Sequence, residues 1–326
     1  MSAAAPFDPA KIERELAVLE REKSGSGTRA TLFNLAVFAP EEAAGRIESL
    51  LAFLLGKRAA RVIRVVLDAP GASRVGVSAR CVPDREDRGV CFQEILVENG
   101  PDNAGIAPGT WPALLVRDIP VYAVWLEALG ARPELLEQLG EFADKLIIDS
   151  EYSTRRGDEP AGMYRRILDY SRRHVLAVSD FAWRRTAGAR IQTARLFDEV
   201  EDEDVFDKIG TVRLAGFSPA AARLYKAWLT GRLGWLGAGP EYRNENGGRV
   251  SFVERSESAA GSLEITFAAG PGRDLKVRLD PDGLTEFQAG GCKRGSVLLP
   301  SDGEILLREV DVPSADAGFL SAVENL

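Results

Sequence analysis

The sequence reads as an α/β protein of two domains: a mixed-sheet α/β N-terminal domain, then an α+β C-terminal domain with an antiparallel meander. Three observations carry this. Between residues 30 and 197, short runs of aromatic and branched side chains alternate with segments of helical period. Beyond Arg249 the period becomes two and glycine punctuates it. Residues 198–207 hold seven acids, a self-repelling block that suits an exposed connector. The expected division is a helix and linker at 1–27, an α/β domain at 28–200 and an α+β domain at 208–326. The length of 326 residues agrees, at ~150 residues per domain.

Asp8-Pro9 opens the first helix with an N-cap and a first-turn proline. Its Ile12, Leu16 and Leu19 make a narrow stripe, which packs on its own domain or docks on a partner. Ser24-Gly25-Ser26-Gly27 then reads as a flexible linker. A strand at 31–38, a helix from Pro40 to about 55 and a strand at 61–67 form a strand–helix–strand unit. Residues 74–82 and 90–98 form an antiparallel hairpin around turn residues 83–89. A short helix ends at 114–116. A strand at 119–126, a helix at 133–142, a strand at 145–149 and helices at 160–173 and 180–197 complete this domain. The second domain starts with a strand at 211–215. Ser218-Pro219 caps a helix through Leu233, with Leu224, Trp228 and Leu229 inward. Strands at 251–257, 261–267, 274–279 and 296–299 form the meander, and 313–325 is a closing helix.

Composition excludes several function classes. A net charge of −8 argues against an overall cationic nucleic-acid binder. The one histidine, His174, cannot build a multi-histidine metal site, and a Ser-His-Asp triad would have to run through it. Its place at a helix end suits a polar terminus residue. Cys81, Cys91 and Cys292 lack CxxC spacing, which argues against zinc and iron–sulfur sites. Their low, odd number suggests a reducing compartment. No signal peptide is read at the start, and the apolar stretch near 50–55 is far short of the ~20 residues of a membrane span. The expectation is a cytoplasmic protein with no metal, no cofactor, no membrane and no nucleic-acid partner.

Catalytic motifs are missing. Gly56-Lys57 lacks the upstream glycine of a phosphate loop. Gly234, Gly237 and Gly239 follow a helix and miss the GxGxxG spacing. Gly71-Ala72-Ser73-Arg74-Val75 lacks the second glycine of a nucleophile elbow. No catalytic residue is assigned. Asp149-Ser150-Glu151, at a strand end, reads as a helix start or turn, with ligand binding as the alternative.

Two features remain. Residues 151–197 hold ten arginines, no lysine and five acids, a net +5 inside an acidic chain. Arg165, Arg166, Arg172 and Arg173 share one helix face, opposite Tyr164, Ile167, Leu168 and Val175. With Arg184, Arg185 and Arg190 on the next helix, they form a solvated face or a docking patch for an acidic partner or phosphate. If the hairpin pairs residues summing to 172, Cys81 faces Cys91. The pair is then two small core residues or a redox switch, and the expectation is reduced and buried thiols.

Several stretches, in order, resemble one family. They are Thr28 to Val37; Val77 to Cys81 with Val90 to Ile95; Leu114-Leu115-Val116-Arg117-Asp118-Ile119-Pro120-Val121 with Val124-Trp125; Leu146-Ile147-Ile148-Asp149-Ser150; Asp180-Phe181-Ala182-Trp183-Arg184-Arg185 with Gln192 to Asp198; and Ala227-Trp228-Leu229 with Leu233-Gly234-Trp235. Together, from residue 28 to about 236, they resemble the glucose-6-phosphate dehydrogenase assembly protein family, OpcA. The chain departs from the family where paired cysteines and paired tryptophans are common, at Cys91-Phe92 and Val124-Trp125, which weakens a family-wide redox role. The resemblance implies a non-enzymatic cytoplasmic effector that binds glucose-6-phosphate dehydrogenase and promotes its active oligomer in the oxidative pentose phosphate pathway. Candidate contact residues are the arginines Arg165, Arg166, Arg172, Arg173, Arg184 and Arg185, with Trp125 and Trp183. The alternative is a sugar-phosphate binder or converting enzyme with arginines and Asp149 around a strand-end pocket.

Overall fold

The computed structural model describes residues 8–24, 31–83, 89–100, 108–201, 204–255, 261–288 and 291–326. The linker residues 25–27 and the hairpin turn at 84–88 lie outside them. The chain forms two units. One comprises Met1–Glu159, Asp169–Ser179 and Ser301–Ala315; the other comprises Pro160–Leu168, Asp180–Pro300 and Asp316–Leu326. The acidic run at 198–207, expected to divide the domains, lies inside the second unit.

In the first unit, helix α1 (Pro9–Ser24) precedes strand β1 (Phe33–Ala39), helix α2 (Ala44–Leu54) and strand β2 (Ala60–Val66). Strands β3 (Arg74–Pro83) and β4 (Gly89–Glu98) follow. Then come β5 (Val121–Trp125), α3 (Pro133–Phe142), β6 (Lys145–Ile148), α4 (Ser150–Arg155), α5 (Pro160–His174), whose first half is counted in the second unit, and β7 (Ala177–Asp180). The sheet order is β3-β4-β2-β1-β5-β6-β7. Strands β4, β2, β1, β5 and β6 run parallel, and β3 is antiparallel to β4. Without the hairpin strand β3, this is the order 3-2-1-4-5-6 of a dinucleotide-binding sheet.

Every residue of β1 and of β2 is buried. Interior parallel strands are covered on both faces, which suits their mostly apolar runs, and the buried exceptions Asn34, Arg61 and Arg64 are hydrogen-bonded. The first helix packs on β3 and β4 of its own sheet, with Ile12 and Leu16 buried and Glu13 paired to Arg61. The docking-arm alternative for this helix is therefore not needed.

The second unit holds α6 (Phe181–Arg185), α7 (Ala187–Asp198), α8 (Asp204–Lys208), β8 (Thr211–Ala215) and α9 (Pro219–Arg232). Strands β9 (Leu236–Ala238), β10 (Glu241–Arg243), β11 (Arg249–Arg255), β12 (Leu263–Ala268), β13 (Leu275–Leu279), β14 (Leu284–Gln288) and β15 (Cys292–Ser296) complete its sheet. Helix α10 (Asp302–Asp311) belongs to the first unit and α11 (Ala317–Glu324) to the second. The sheet order is β15-β14-β13-β12-β8-β11-β10-β9. Strands β12 to β15 form an antiparallel meander, but β11, expected as the first strand of the meander, instead pairs parallel with β8, which separates it from β12. The alternation of β13, with Leu275, Val277 and Leu279 buried, turns one face to a core that includes Ala189, Leu196, Tyr225 and Leu229. The meander continues through β14, which was not expected, to β15, and the strand expected at 296–299 shares only Ser296 with β15. The single helix expected at 180–197 breaks at Thr186, whose hydroxyl donates to the Trp183 carbonyl at 2.8 Å.

Helix α10 joins the first unit from far along the chain. Gly303 sits where a Cβ would meet Phe53 of α2 at 2.5 Å, so only glycine permits this approach. Lys145, at the start of β6, is fully buried, and its Nζ lies 2.5 Å from Glu309 Oε2. The same ammonium donates to the carbonyls of Glu309 at 3.2 Å and Val312 at 2.7 Å. Removing one partner strands a buried charge. Lys145→Met alone should cost about 3–5 kcal/mol, and Lys145→Met with Glu309→Leu should recover most of it. Urea-unfolding midpoints of the three proteins check this.

Candidate functional site

Open α/β sheets build sites at the carboxyl ends of their strands, where the connections reverse direction. Here β1 leads through α2 to β2 on one side, and β5 lies against its other side and leads to β6. The switch point is the gap between the ends of β1 and β5.

The chain leaves β1 as Ala39-Pro40-Glu41-Glu42. A pyrophosphate cradle needs glycines there, so that backbone N–H groups can approach. Pro40 has no N–H, and two exposed carboxylates follow it.

The crevice is filled by its own side chains. Arg46 of α2 reaches Asp149 Oδ2 at 2.5 Å and Asp302 Oδ2 at 2.9 Å. Asp149 is fully buried and caps α4 by accepting from the N–H groups of Glu151 and Tyr152. Arg156 donates to both oxygens of Glu127 at 3.0 Å and to Glu42 at 2.5 Å. Glu127 also accepts from the Ala128 N–H at 2.8 Å, and Ser153 Oγ donates to its carbonyl at 3.0 Å. Burial alone would raise the Glu127 carboxyl. The Arg156 guanidinium and the Ala128 N–H overcome it and hold the group below its ordinary value of 4.5. Burial, with Glu42 nearby, pushes the Tyr152 phenol up.

The residues singled out from the sequence fall as follows. Arg165, Arg166, Arg172 and Arg173 are all exposed on α5, and Tyr164 and Ile167 are buried on its other side. Leu168 is half-buried, and Val175, expected inward, is 91% exposed. Arg173 pairs with Glu137 at 2.7 Å. Arg184 and Arg185 are half-buried: Arg184 donates to Asp316 at 2.6 Å, and Arg185 lies over the Phe181 ring. Arg190 lies over the Trp183 indole, 3.3 Å from its centroid.

The two tryptophans differ from the expectation. Trp125 and Trp183 are fully buried, so neither offers a docking surface. Trp125 ends an interior strand against Phe38, and Trp183 Nε1 donates to Asp316 at 2.9 Å. His174 holds the structural place expected, with Nε2 2.9 Å from Glu137 Oε2 and its ring over Gly140, where a Cβ would clash.

The hairpin register does pair Cys81 with Cys91. The expectation of reduced, buried thiols is corrected, because Cys81 is disulfide-bonded and half-buried. Directly opposed residues of an antiparallel pair have Cα atoms ~4.5–5.5 Å apart, within disulfide reach. Cys292 is free and exposed.

Arg46, Glu127, Arg156 and Asp302 were not visible as a group in the sequence, since they lie on four separate segments. Only Asp302 had a local signal: Ser301-Asp302-Gly303-Glu304 is a capping box, and both of its reciprocal hydrogen bonds form. Among the described residues, no cluster of three metal-ligating side chains forms and no helix is long and apolar enough to cross a membrane.

Comparison with known proteins finds two family matches. Residues 54–167 match the glucose-6-phosphate dehydrogenase subunit N-terminal domain, and residues 176–322 match the corresponding C-terminal domain. An OxPP cycle protein OpcA of Nostoc punctiforme is 24% identical over 266 residues, covering 77% of this chain and 54% of that one. Its counterpart in Synechococcus elongatus is 25% identical over 183 residues, covering 55% and 39%. The chain thus spans about half the length, or less, of these curated relatives. In fold it is similar to a 3-ketoreductase, KijD10, of Actinomadura kijaniata, at 11% identity, TM-score 0.52, and 90% and 94% coverage.

The filled crevice predicts an acid limb of stability. Because the Glu127 carboxyl is lowered on folding, its contribution is complete above about 4.5 and is lost as pH falls through the folded value. Glu127→Gln should lower stability at pH 7 by about 2–3 kcal/mol, through loss of charge-assisted hydrogen bonds. It should also flatten the stability profile below pH 4.5. Urea unfolding of both proteins between pH 3 and 7 measures both effects.

Proposed function

The chain belongs to the OpcA family of glucose-6-phosphate dehydrogenase subunits, and we propose that it acts without chemistry of its own. It binds glucose-6-phosphate dehydrogenase and stabilises its active oligomer as an allosteric effector in the oxidative pentose phosphate pathway. The observation that carries this reading is the self-paired switch point. Arg46, Asp149, Asp302, Glu127 and Arg156 satisfy one another where an enzyme of this fold would hold cofactor and substrate. The alternative of a sugar-phosphate enzyme needed Asp149 open to a ligand. Its carboxylate instead receives Arg46 and the first N–H groups of α4.

An effector must prefer one state of its target, since equal affinity for both shifts nothing. Adding the chain to the dehydrogenase should lower the half-saturating substrate concentration or raise the maximal rate, saturably. By linkage, substrate should tighten the complex by the factor by which the chain tightens substrate. Initial rates and titrations of the two purified proteins test this. An unchanged rate with no measurable complex would end the reading.

The exposed arginines of α5 support a surface for an acidic partner, because a guanidinium pairs bidentately with carboxylates. Beside them Val175 is 91% exposed with φ +54°. A branched residue in that region is strained by ~1–2 kcal/mol, and such strain is kept mainly where a surface is used. Reversing Arg165, Arg166, Arg172 and Arg173 to glutamate should slow association about tenfold or more at low salt, with a difference that shrinks as salt rises. Val175→Gly should raise stability by about 1–2 kcal/mol yet weaken the complex. Wild-type association by both variants at low salt would move the docking surface elsewhere.

A further inference from the structure

A cavity of about 280 Å³ opens at the carboxyl end of β2, lined by residues 67–70, Asn99, Gly100 and Arg132. It lies outside the self-paired crevice and shares no residue with it. Its walls are tight backbone. The Asn99 N–H donates to the Val66 carbonyl at 3.0 Å, and the Asn99 carbonyl accepts from the Ala69 N–H at 2.9 Å. A Cβ on Gly100 would lie 1.9 Å from the Gly71 carbonyl oxygen.

Polar side chains line this space. Asn99 is 4% exposed, and neither its amide nitrogen nor its amide oxygen has a hydrogen-bond partner among the described residues. A buried amide with both functions open is costly unless something fills it. At the mouth stands Asp68, half-exposed and paired with Arg132, whose guanidinium also points at the Leu67 carbonyl at 3.5 Å.

An acid just past the second strand of a sheet with this order is placed to accept both hydroxyls of a vicinal diol. An asparagine amide matches a heteroaromatic edge with adjacent donor and acceptor, such as the N6–H and N7 of adenine. We propose that this cavity is a nucleoside site, taking a neutral adenine nucleoside with its ribose hydroxyls on Asp68 and its base edge on Asn99.

Three observations fix the class. The volume lies just under the ~300 Å³ at which pockets for larger ligands begin, so a dinucleotide does not fit. Asp68 and Arg132 balance each other, which leaves no net charge to attract phosphate. The neighbouring turn repels phosphate: the Leu67 N–H donates to the Ala39 carbonyl at 2.9 Å, and Pro40, Glu41 and Glu42 follow directly. The fold keeps the nucleoside half of its usual site and has lost the pyrophosphate half.

The test uses the whole chain, without any dehydrogenase, so it stands apart from the docking proposal. Calorimetric titration with adenosine should give saturable binding at one site, with AMP about tenfold weaker or worse and glucose silent. Asn99→Leu should lose about tenfold or more in adenosine affinity while keeping or raising the urea midpoint, because it removes the open amide. Asp68→Asn should weaken adenosine but not 2′,3′-dideoxyadenosine. It decides the matter alone if Asn99→Leu fails to fold. No saturable adenosine binding up to about 5 mM overturns the proposal. So does AMP binding tighter than adenosine, equal competition by glucose, or wild-type affinity in both variants.

Discussion

The buried pair of Lys145 and Glu309 ties a strand in the middle of the sequence to a helix near its end. A lysine ammonium with no exposure is among the least tolerable groups in a protein interior unless it is paired and hydrogen-bonded. Here β6 presents it to α10, which returns a carboxylate and two carbonyls. The first unit is thus completed only when residues 301–315 arrive. Arg58 with Asp311, Arg46 with Asp302 and Phe53 under Gly303 fasten the same helix at other points. Exposed pairs such as Arg58 with Asp311 contribute little, so the buried pair and the glycine contact fix where α10 sits.

That late arrival explains which parts of the molecule the sequence disclosed. The strand–helix–strand start, the cysteine hairpin, α9 and the β12–β13 pair all follow from period and turn chemistry within windows of ten to twenty residues. Strand β1 was legible because an interior parallel strand is mostly apolar, here with Asn34 as the one exception. Helix α10, with Ile305, Leu306, Leu307 and Val310, was not, because it lies between the last expected strand and the closing helix expected only from Pro313. The capping box at Ser301 and Glu304 was the available signal. The division of the chain was misplaced for a related reason. Seven acids at 198–207 repel one another locally whether or not a boundary falls there. Here Val205 within the run is buried on the second unit's core.

The candidate site was legible only by exclusion. The search for a glycine-rich phosphate turn failed at every position, and the structure shows why that failure matters. The strand order is that of a dinucleotide-binding sheet, yet the turn after β1 carries proline and two glutamates. No local pattern announces that Arg46 will meet Asp149 and Asp302, because residues separated by 103 and 256 positions leave no shared periodicity. The tryptophans erred in the opposite direction. A large aromatic at the end of a strand suits a core or an interface equally, and burial, which sequence does not give, decides for the core at Trp125 and Trp183.

An enzyme site is kept partly unsatisfied, since groups that must bind or transfer protons cannot all be paired in the resting state. This crevice has gone the other way. Asp149, Asp302 and Glu127 each have a guanidinium against them, and opening the crevice to a ligand would separate these opposite charges. Such a crevice works as a brace. It ties α2, the ends of β5 and β6, and α10 to one another, and satisfied buried polar networks of this kind stiffen a unit. Rigidity lowers the cost of docking, because fewer side chains and loops must be ordered on contact. Away from the crevice, α5 keeps Arg165, Arg166, Arg172 and Arg173 exposed. Asn99, in the cavity beside β2, is a buried amide whose nitrogen and oxygen both lack a hydrogen-bond partner among the described residues.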